Sequence, residues 1–184
     1  GNDRDTGHHG QRSKFQALGF VSRAQNEGSE PSPLIIWLQG GPGGSSMFGL
    51  FSEMGPWSLD SDLNPVRREY TWNMNYGMLF IDNPVGAGFS FPSTEDGYCT
   101  NTKDCVASQL FSLMQQFYEM FPDQRGVPLY IATESYGGHY GPAFAAYIHE
   151  HNKGGKHSKC NESGAGICST DTVPLAGLAV GDGW

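Results

Sequence analysis

Residues 128–138 constrain this chain more tightly than any other stretch. Pro128-Leu129-Tyr130-Ile131-Ala132 is a short apolar run of the kind that forms a buried strand. It passes directly into Thr133-Glu134-Ser135-Tyr136-Gly137-Gly138, and a helical pattern follows from about Gly138 to His149. A strand that becomes a helix within so few residues needs a sharp, crowded bend, and small neighbours relieve the crowding. Gly137, two places after Ser135, meets that need, whereas Thr133, two places before it, departs from the strict G-x-S-x-G pattern. The helix start also aims backbone N–H groups and the positive end of the helix dipole at the space where an oxyanion forms. Two readings follow: a serine nucleophile held on an elbow, or a serine that only caps a helix.

The remaining periodicities place this elbow in a parallel sheet. Residues 34–39 are an apolar run bounded by Pro33 and Gly40-Gly41-Pro42, and Met78-Leu79-Phe80-Ile81 is a second, closed by Asp82-Asn83-Pro84. Val106, Leu110, Leu113, Met114, Phe117 and Met120 recur at steps of three and four between Lys103 and Phe121, which predicts an amphipathic helix stopped by Pro122. Leu175 to Val180 reads as a last strand. Strands alternating with helices imply an α/β domain, a mostly parallel sheet with crossover helices. Residues 1–33, polar apart from Phe15 to Val21, read as loop or frayed terminus, and 151–172 as a polar loop.

Composition removes several functional classes. With 11 Lys+Arg against 19 Asp+Glu the formal charge is −8, and no basic run is present, so nucleic acid is not an expected partner. The longest apolar stretches are about five residues, far short of the ~20 that span a bilayer. No residue pattern calls for a cofactor. The four cysteines (Cys99, Cys105, Cys160 and Cys168) have neither CxxC nor zinc-finger spacing, so no metal site is expected. Their separations suit local disulfide loops, with three connectivities open. Asn161-Glu162-Ser163 is a glycosylation sequon, and together these features point to an exported protein.

The loop after the first apolar run supports the nucleophile reading. Gln39-Gly40-Gly41-Pro42-Gly43-Gly44-Ser45-Ser46 leaves backbone amides uncovered by side chains, so that they can approach a reacting carbonyl. Hydrolases built on such a sheet take a second oxyanion donor from an early strand-to-helix loop of this kind. A phosphate-binding loop is the rival, but no G-K-[ST] follows.

Four stretches, PLIIWLQGGPGGSSMFGLFSEMGP (33–56), MLFIDNPVGAGFSF (78–91), PLYIATESYGGHYGPAFA (128–145) and GLAVGDGW (177–184), resemble the serine carboxypeptidases, most closely the vitellogenic-like branch. The resemblance covers residues 15–184 and leaves a polar terminus, residues 1–14, unmatched. It implies the front part of an alpha/beta-hydrolase domain whose C-terminal half is missing, with the activity of an exopeptidase that removes C-terminal residues through an acyl-enzyme. On this resemblance Ser135 is the nucleophile. The backbone N–H groups of Gly41 and Tyr136 form the oxyanion hole. Gln39, the Gly40 amide, Glu53 and Glu134 bind the substrate's terminal carboxylate. Two carboxyls close together do not both ionise easily, and a neutral one can donate a hydrogen bond to a carboxylate, so recognition is expected to favour acidic pH. A secreted or lysosomal/vacuolar setting follows. Gln39 stands where the family often has Asn, Gly44 where it often has Cys, and the loop from Cys160 to Cys168 has no counterpart in the pattern.

The resemblance also implies a catalytic Asp and then a His downstream of the serine. The histidines are His8, His9, His139, His149, His151 and His157, and none follows Asp171 or Asp182 in the required order. The expectation is an incomplete chain, inactive by itself, with apolar faces left exposed and independent folding in doubt. The Asp and His then come from further chain or from a second chain. The alternative is a non-catalytic protein that binds peptide carboxylates.

Overall fold

The computed structural model describes residues 20–21, 32–92, 97–153 and 172–184. Five strands form one sheet in the order β1-β5-β2-β6-β7, with β1 at Phe20–Val21, β2 at Leu34–Leu38, β5 at Gly77–Phe80, β6 at Leu129–Glu134 and β7 at Leu175–Gly181. β2, β5, β6 and β7 run parallel, and β1 pairs antiparallel to β5, Phe20 opposite Leu79 and Val21 opposite Met78. A two-stranded ribbon, β3 (Trp57–Leu59) and β4 (Pro65–Arg67), stands apart. The helices are α1 (Met47–Ser52), α2 (Ala107–Met120) and α3 (Gly137–Asn152).

β2 lies at the centre and is buried along its whole length. Its side chains alternate between the faces of the sheet, as a strand's period of two requires. Leu34, Ile36 and Leu38 join the larger core with α2 and α3, while Ile35 and Trp37 face the smaller cluster that includes Leu50 of α1. A strand covered on both faces reads as a continuous apolar run, which is why residues 34–39 show no polar alternation. Val106, in the turn that leads into α2, and Leu110, Leu113, Met114 and Phe117 on α2 are buried as the periodicity predicts, but Met120 is exposed at the helix end. Each such large side chain contributes about 1.5–3 kcal/mol on burial, and Phe117→Ala would cost about 3–5 kcal/mol. The turn into α2, Thr102–Val106, is π-wound. Asn101 Oδ1 caps it by accepting from the Asp104 and Cys105 N–H groups at 2.9 and 3.2 Å, and a Cys99–Cys105 disulfide closes the approach.

Two parts of the sequence reading need correction. Residues 1–33 are not all loop, because Phe20–Val21 extends the sheet beyond β5. The β3–β4 ribbon has no counterpart in the sequence reading: its strands are three residues each and largely exposed, too short to establish a period. Cys160, Cys168 and Asn161 lie outside the described residues. β7 forms one edge of the sheet, with Leu178 and Val180 exposed. No helix among the described residues is long and apolar enough to cross a membrane.

Candidate active site

β2, β5 and β6 are parallel neighbours, so their carboxyl ends emerge side by side, where open α/β sheets hold their ligands. Ser135 sits between β6 and α3 with φ of 54°, a left-handed conformation that an L-residue adopts only when its surroundings impose it. Four hydrogen bonds fix the bend. Ser135 N–H donates to Gly181 O at 3.0 Å, Gly138 N–H and Trp184 N–H donate to Ser135 O at 2.9 and 3.1 Å, and His139 N–H donates to Tyr136 O at 3.0 Å. The Ser135 side chain remains exposed. Gly137 is required here, since a Cβ would lie 2.6 Å from Thr133 Cβ and 3.2 Å from Leu38 O. Thr133 takes the place of the motif's first glycine because Gly141 also leaves it room, a Cβ there falling 2.9 Å from Thr133 Cγ2.

The glycine loop packs against this elbow with no space to spare. A Cβ on Gly40 would lie 2.6 Å from Glu134 O, 2.8 Å from Tyr136 N and 2.9 Å from Ser135 Cβ. Gly41 and Gly43 have φ of 124° and 85°, and Gly44 N–H closes the turn on Gly40 O at 2.9 Å. The Gly43 backbone bonds to the Tyr140 hydroxyl, whose pKa is raised chiefly by burial, and so ties the loop to α3. On the other side Ser46 Oγ accepts from Gln39 N–H at 3.1 Å and donates to Ile81 O.

Between loop and elbow is an open cleft of about 490 Å³, lined by Gln39, Gly40, Gly41, Gly44, Ser45, Phe48, Glu134 and Ser135. Gln39 is held from both ends: its Oε1 accepts from Trp37 Nε1 at 2.9 Å and its Nε2 donates to Glu134 Oε2 at 2.7 Å. Glu53 caps the end of α1 behind that pair, outside the lining, with its Oε2 buried and without a hydrogen-bond partner. Its pKa is raised above the ordinary 4.5, first by burial and then by the charge of Glu134, while Gln39 pulls it down. Of the residues singled out from sequence, Gln39, Gly40, Gly41, Glu134 and Ser135 meet in the cleft, with Glu53 adjoining. Tyr136 turns its ring onto His139, Tyr140 and Trp184, at 4.6, 5.2 and 5.8 Å between ring centroids, and leaves its backbone N beside Gly40.

Two of the three described imidazoles make ring contacts away from the cleft lining, and His149 is exposed near the end of α3. His139 lies against Tyr136 and Trp184, and His151 stacks on Tyr147 at 4.3 Å. Three residues near the cleft escaped sequence reasoning. Ser45 and Phe48 line it, and Asp82, read from sequence only as the close of a strand, is wholly buried and bonded to Ser45. The pattern Asp-x-Pro after an apolar run was the available signal, but nothing in it reveals a partner on another strand's loop.

A strained, exposed serine between a parallel strand and a helix, faced by a glycine loop from the adjacent strand, defines the α/β-hydrolase class. The chain belongs to the serine carboxypeptidase family, whose model matches residues 6–184. It is 44% identical over 156 residues to the probable serine carboxypeptidase CPVL of Dictyostelium discoideum, covering 85% of this chain and 28% of that protein. Against the vitellogenic carboxypeptidase of Aedes aegypti it is 42% identical over 155 residues, 84% of this chain and 29% of the relative. Among solved structures it is similar to Kex1Δp, a prohormone-processing carboxypeptidase from Saccharomyces cerevisiae, with a TM-score of 0.68 and 34% identity, covering 83% of this chain and 31% of that one. The chain therefore spans under a third of the length of these relatives.

Proposed function

We propose that this chain supplies the nucleophile and the carboxylate-recognition half of a serine-type carboxypeptidase acting on peptide or protein C-termini. The observation that carries the reading is the juxtaposition in one cleft of an exposed, left-handed Ser135 and the Gln39–Glu134 pair backed by Glu53. Attack on an internal peptide bond or an ester calls for no carboxyl pair and amide in the serine's cleft. A terminal carboxylate does: Gln39 Nε2 and the Gly40 N–H are donors, and burial together with the charge of Glu134 raises the Glu53 pKa, favouring the neutral acid that can donate to a carboxylate.

In this reading Ser135 Oγ attacks the last peptide carbonyl. The developing oxyanion is stabilised by the Gly41 and Tyr136 N–H groups, and the C-terminal residue leaves as its amine is protonated. Water then releases the acyl group. The base that takes the serine proton, and the acid that orients it, are assigned to chain outside these residues or to a second chain. The site needs neither metal nor organic cofactor, because serine acyl transfer requires only the hydroxyl, a base and oxyanion donors. The Cys99–Cys105 disulfide supports a secreted or lysosomal/vacuolar location.

The test is a pair of substrates presented to the full-length protein, an N-blocked dipeptide and the same dipeptide with its terminus amidated. Rapid release of the last residue from the free acid, with loss of about 10²-fold or more on the amide, is the expected result. Equal cleavage of both would refute carboxylate recognition. Binding of the acid without any turnover would favour a non-catalytic peptide-carboxylate receptor.

A further inference from the structure

Asp82 does not line the cleft, yet the glycine loop hangs from its carboxylate. The residue follows β5, whose carboxyl end lies beside that of β2, and its side chain is wholly buried. Oδ1 accepts from Ser45 Oγ at 2.7 Å and from Ser46 N–H at 2.8 Å, both in the loop. Oδ2 accepts from Phe89 N–H at 2.8 Å, in the turn that follows β5. The Asp82 carbonyl accepts from Ser90 Oγ at 2.7 Å. Gly88, at φ of 51°, leaves no room for a Cβ against the carboxylate, so this turn is shaped to enclose it.

All three side-chain contacts require an acceptor. A carboxylate presents acceptors on both oxygens, whereas an amide has one and must aim an N–H group at one of these donors. A buried group left in that state loses its own bonds and disturbs its partners. Ser45 and Ser46 close the loop that begins at Gly40, and the loop has few other anchors: the Gly44–Gly40 turn, the Ser46 hydroxyl and the Gly43 contact with Tyr140.

We infer that Asp82 is a positioning residue for catalysis: by holding Ser45 and Ser46 it sets the position of the Gly41 N–H over the oxyanion site, without touching substrate. The inference rests on the carboxypeptidase reading of the cleft. Carboxylate recognition stands largely apart from it, because the Gln39 side chain is fixed by Trp37 and Glu134 and Gly40 is wedged against the elbow at the other end of the loop. The signature is therefore a loss in kcat with KM preserved, which a general loss of structure would not produce.

The experiment uses the full-length protein and an N-blocked dipeptide, with wild type, Asp82→Asn, Ser45→Ala and the double variant. Loss of a whole oxyanion donor costs about 10²–10³-fold in kcat. A misplaced donor predicts about 10–100-fold for Asp82→Asn, with KM within about twofold, and a severalfold loss for Ser45→Ala. The double variant should lose less than the product of the two single losses, since the Ser45–Asp82 contact is common to both. Wild-type kcat in Asp82→Asn, or kcat and KM impaired together, overturns the positioning role while leaving the carboxypeptidase reading intact. If Asp82→Asn does not fold, Ser45→Ala decides: a kcat loss at constant KM supports the role, and an unchanged kcat overturns it. A wild type that releases no C-terminal residue removes the underlying reading, and the inference with it.

Discussion

Two strand ends flank the glycine loop, and they are built in opposite ways. Just past β5 lies Asp82, which no solvent reaches and whose carboxylate receives three hydrogen bonds. Just past β6 lies Ser135, exposed, in a left-handed conformation, with the crowding around it relieved by glycines. One flank satisfies a buried charge-bearing group completely. The other leaves a reactive hydroxyl uncovered and fixes only its backbone. The contrast shows how a site can be rigid and reactive together: the rigidity is placed one strand away from the chemistry, and the loop between them carries it across.

Removing the reactive side has the largest predicted effect. Ser135→Ala in the full-length protein should lower kcat by about 10⁶-fold and leave the melting temperature unchanged or slightly raised, because the strained backbone gains no new contact. Turnover assays at high enzyme concentration, with a thermal melt alongside, check both halves of that statement. Pressing the two flanks apart comes next. Gly40→Ala puts a methyl 2.6 Å from Glu134 O and 2.8 Å from Tyr136 N, where backbone must move. The expected result is about 10²-fold lower kcat, as for misplacement of about 1 Å, and a stability loss of about 1–3 kcal/mol in denaturant titration.

A smaller effect concerns the acid behind the cleft. The Glu53 pKa is raised by burial and by Glu134, so the neutral form persists to higher pH than in an ordinary carboxyl. If neutral Glu53 takes part in donating to the substrate, KM rises as pH climbs through that raised value, by at most about tenfold per unit for a single proton. The sign for stability is the same: this contribution is fully present below the unfolded value near 4.5 and is lost as pH rises through the folded one. Glu53→Gln should flatten the pH profile of KM, and a profile as steep as wild type would assign the titration to another group. Smallest of all, Cys99→Ala with Cys105→Ala opens a short loop remote from the cleft lining. It should cost about 2 kcal/mol or less in stability and leave kcat unchanged.

The exposed flank was far more legible in the sequence than the buried one. Ser135 announces itself because an apolar run, a small-residue turn and a helix follow one another with no spacing between them. Gln39, Gly40 and Gly41 are legible for the same reason, since clustered glycines after a strand have few other uses. Asp82 is not legible, because its partners lie some forty residues earlier, on the loop of the neighbouring strand, and only the sheet order brings them together. Glu53 read by itself is a helix-surface carboxylate. Its change of character comes from Glu134, on another element, and from burial that no local pattern encodes. β1 and the β3–β4 ribbon were missed for a different reason: strands of two or three residues are too short to show a period.

The central claim is that Ser135 is the nucleophile, and the most direct measurement is to locate a covalent adduct. The full-length protein is treated with a fluorophosphonate, digested, and mapped by mass spectrometry, with His139→Ala run in parallel. The account predicts a single phosphonylated residue at Ser135 in both samples, since the His139 ring is engaged with Tyr136 and Trp184. An adduct on a different residue, or labelling of Ser135 abolished by His139→Ala, would contradict it.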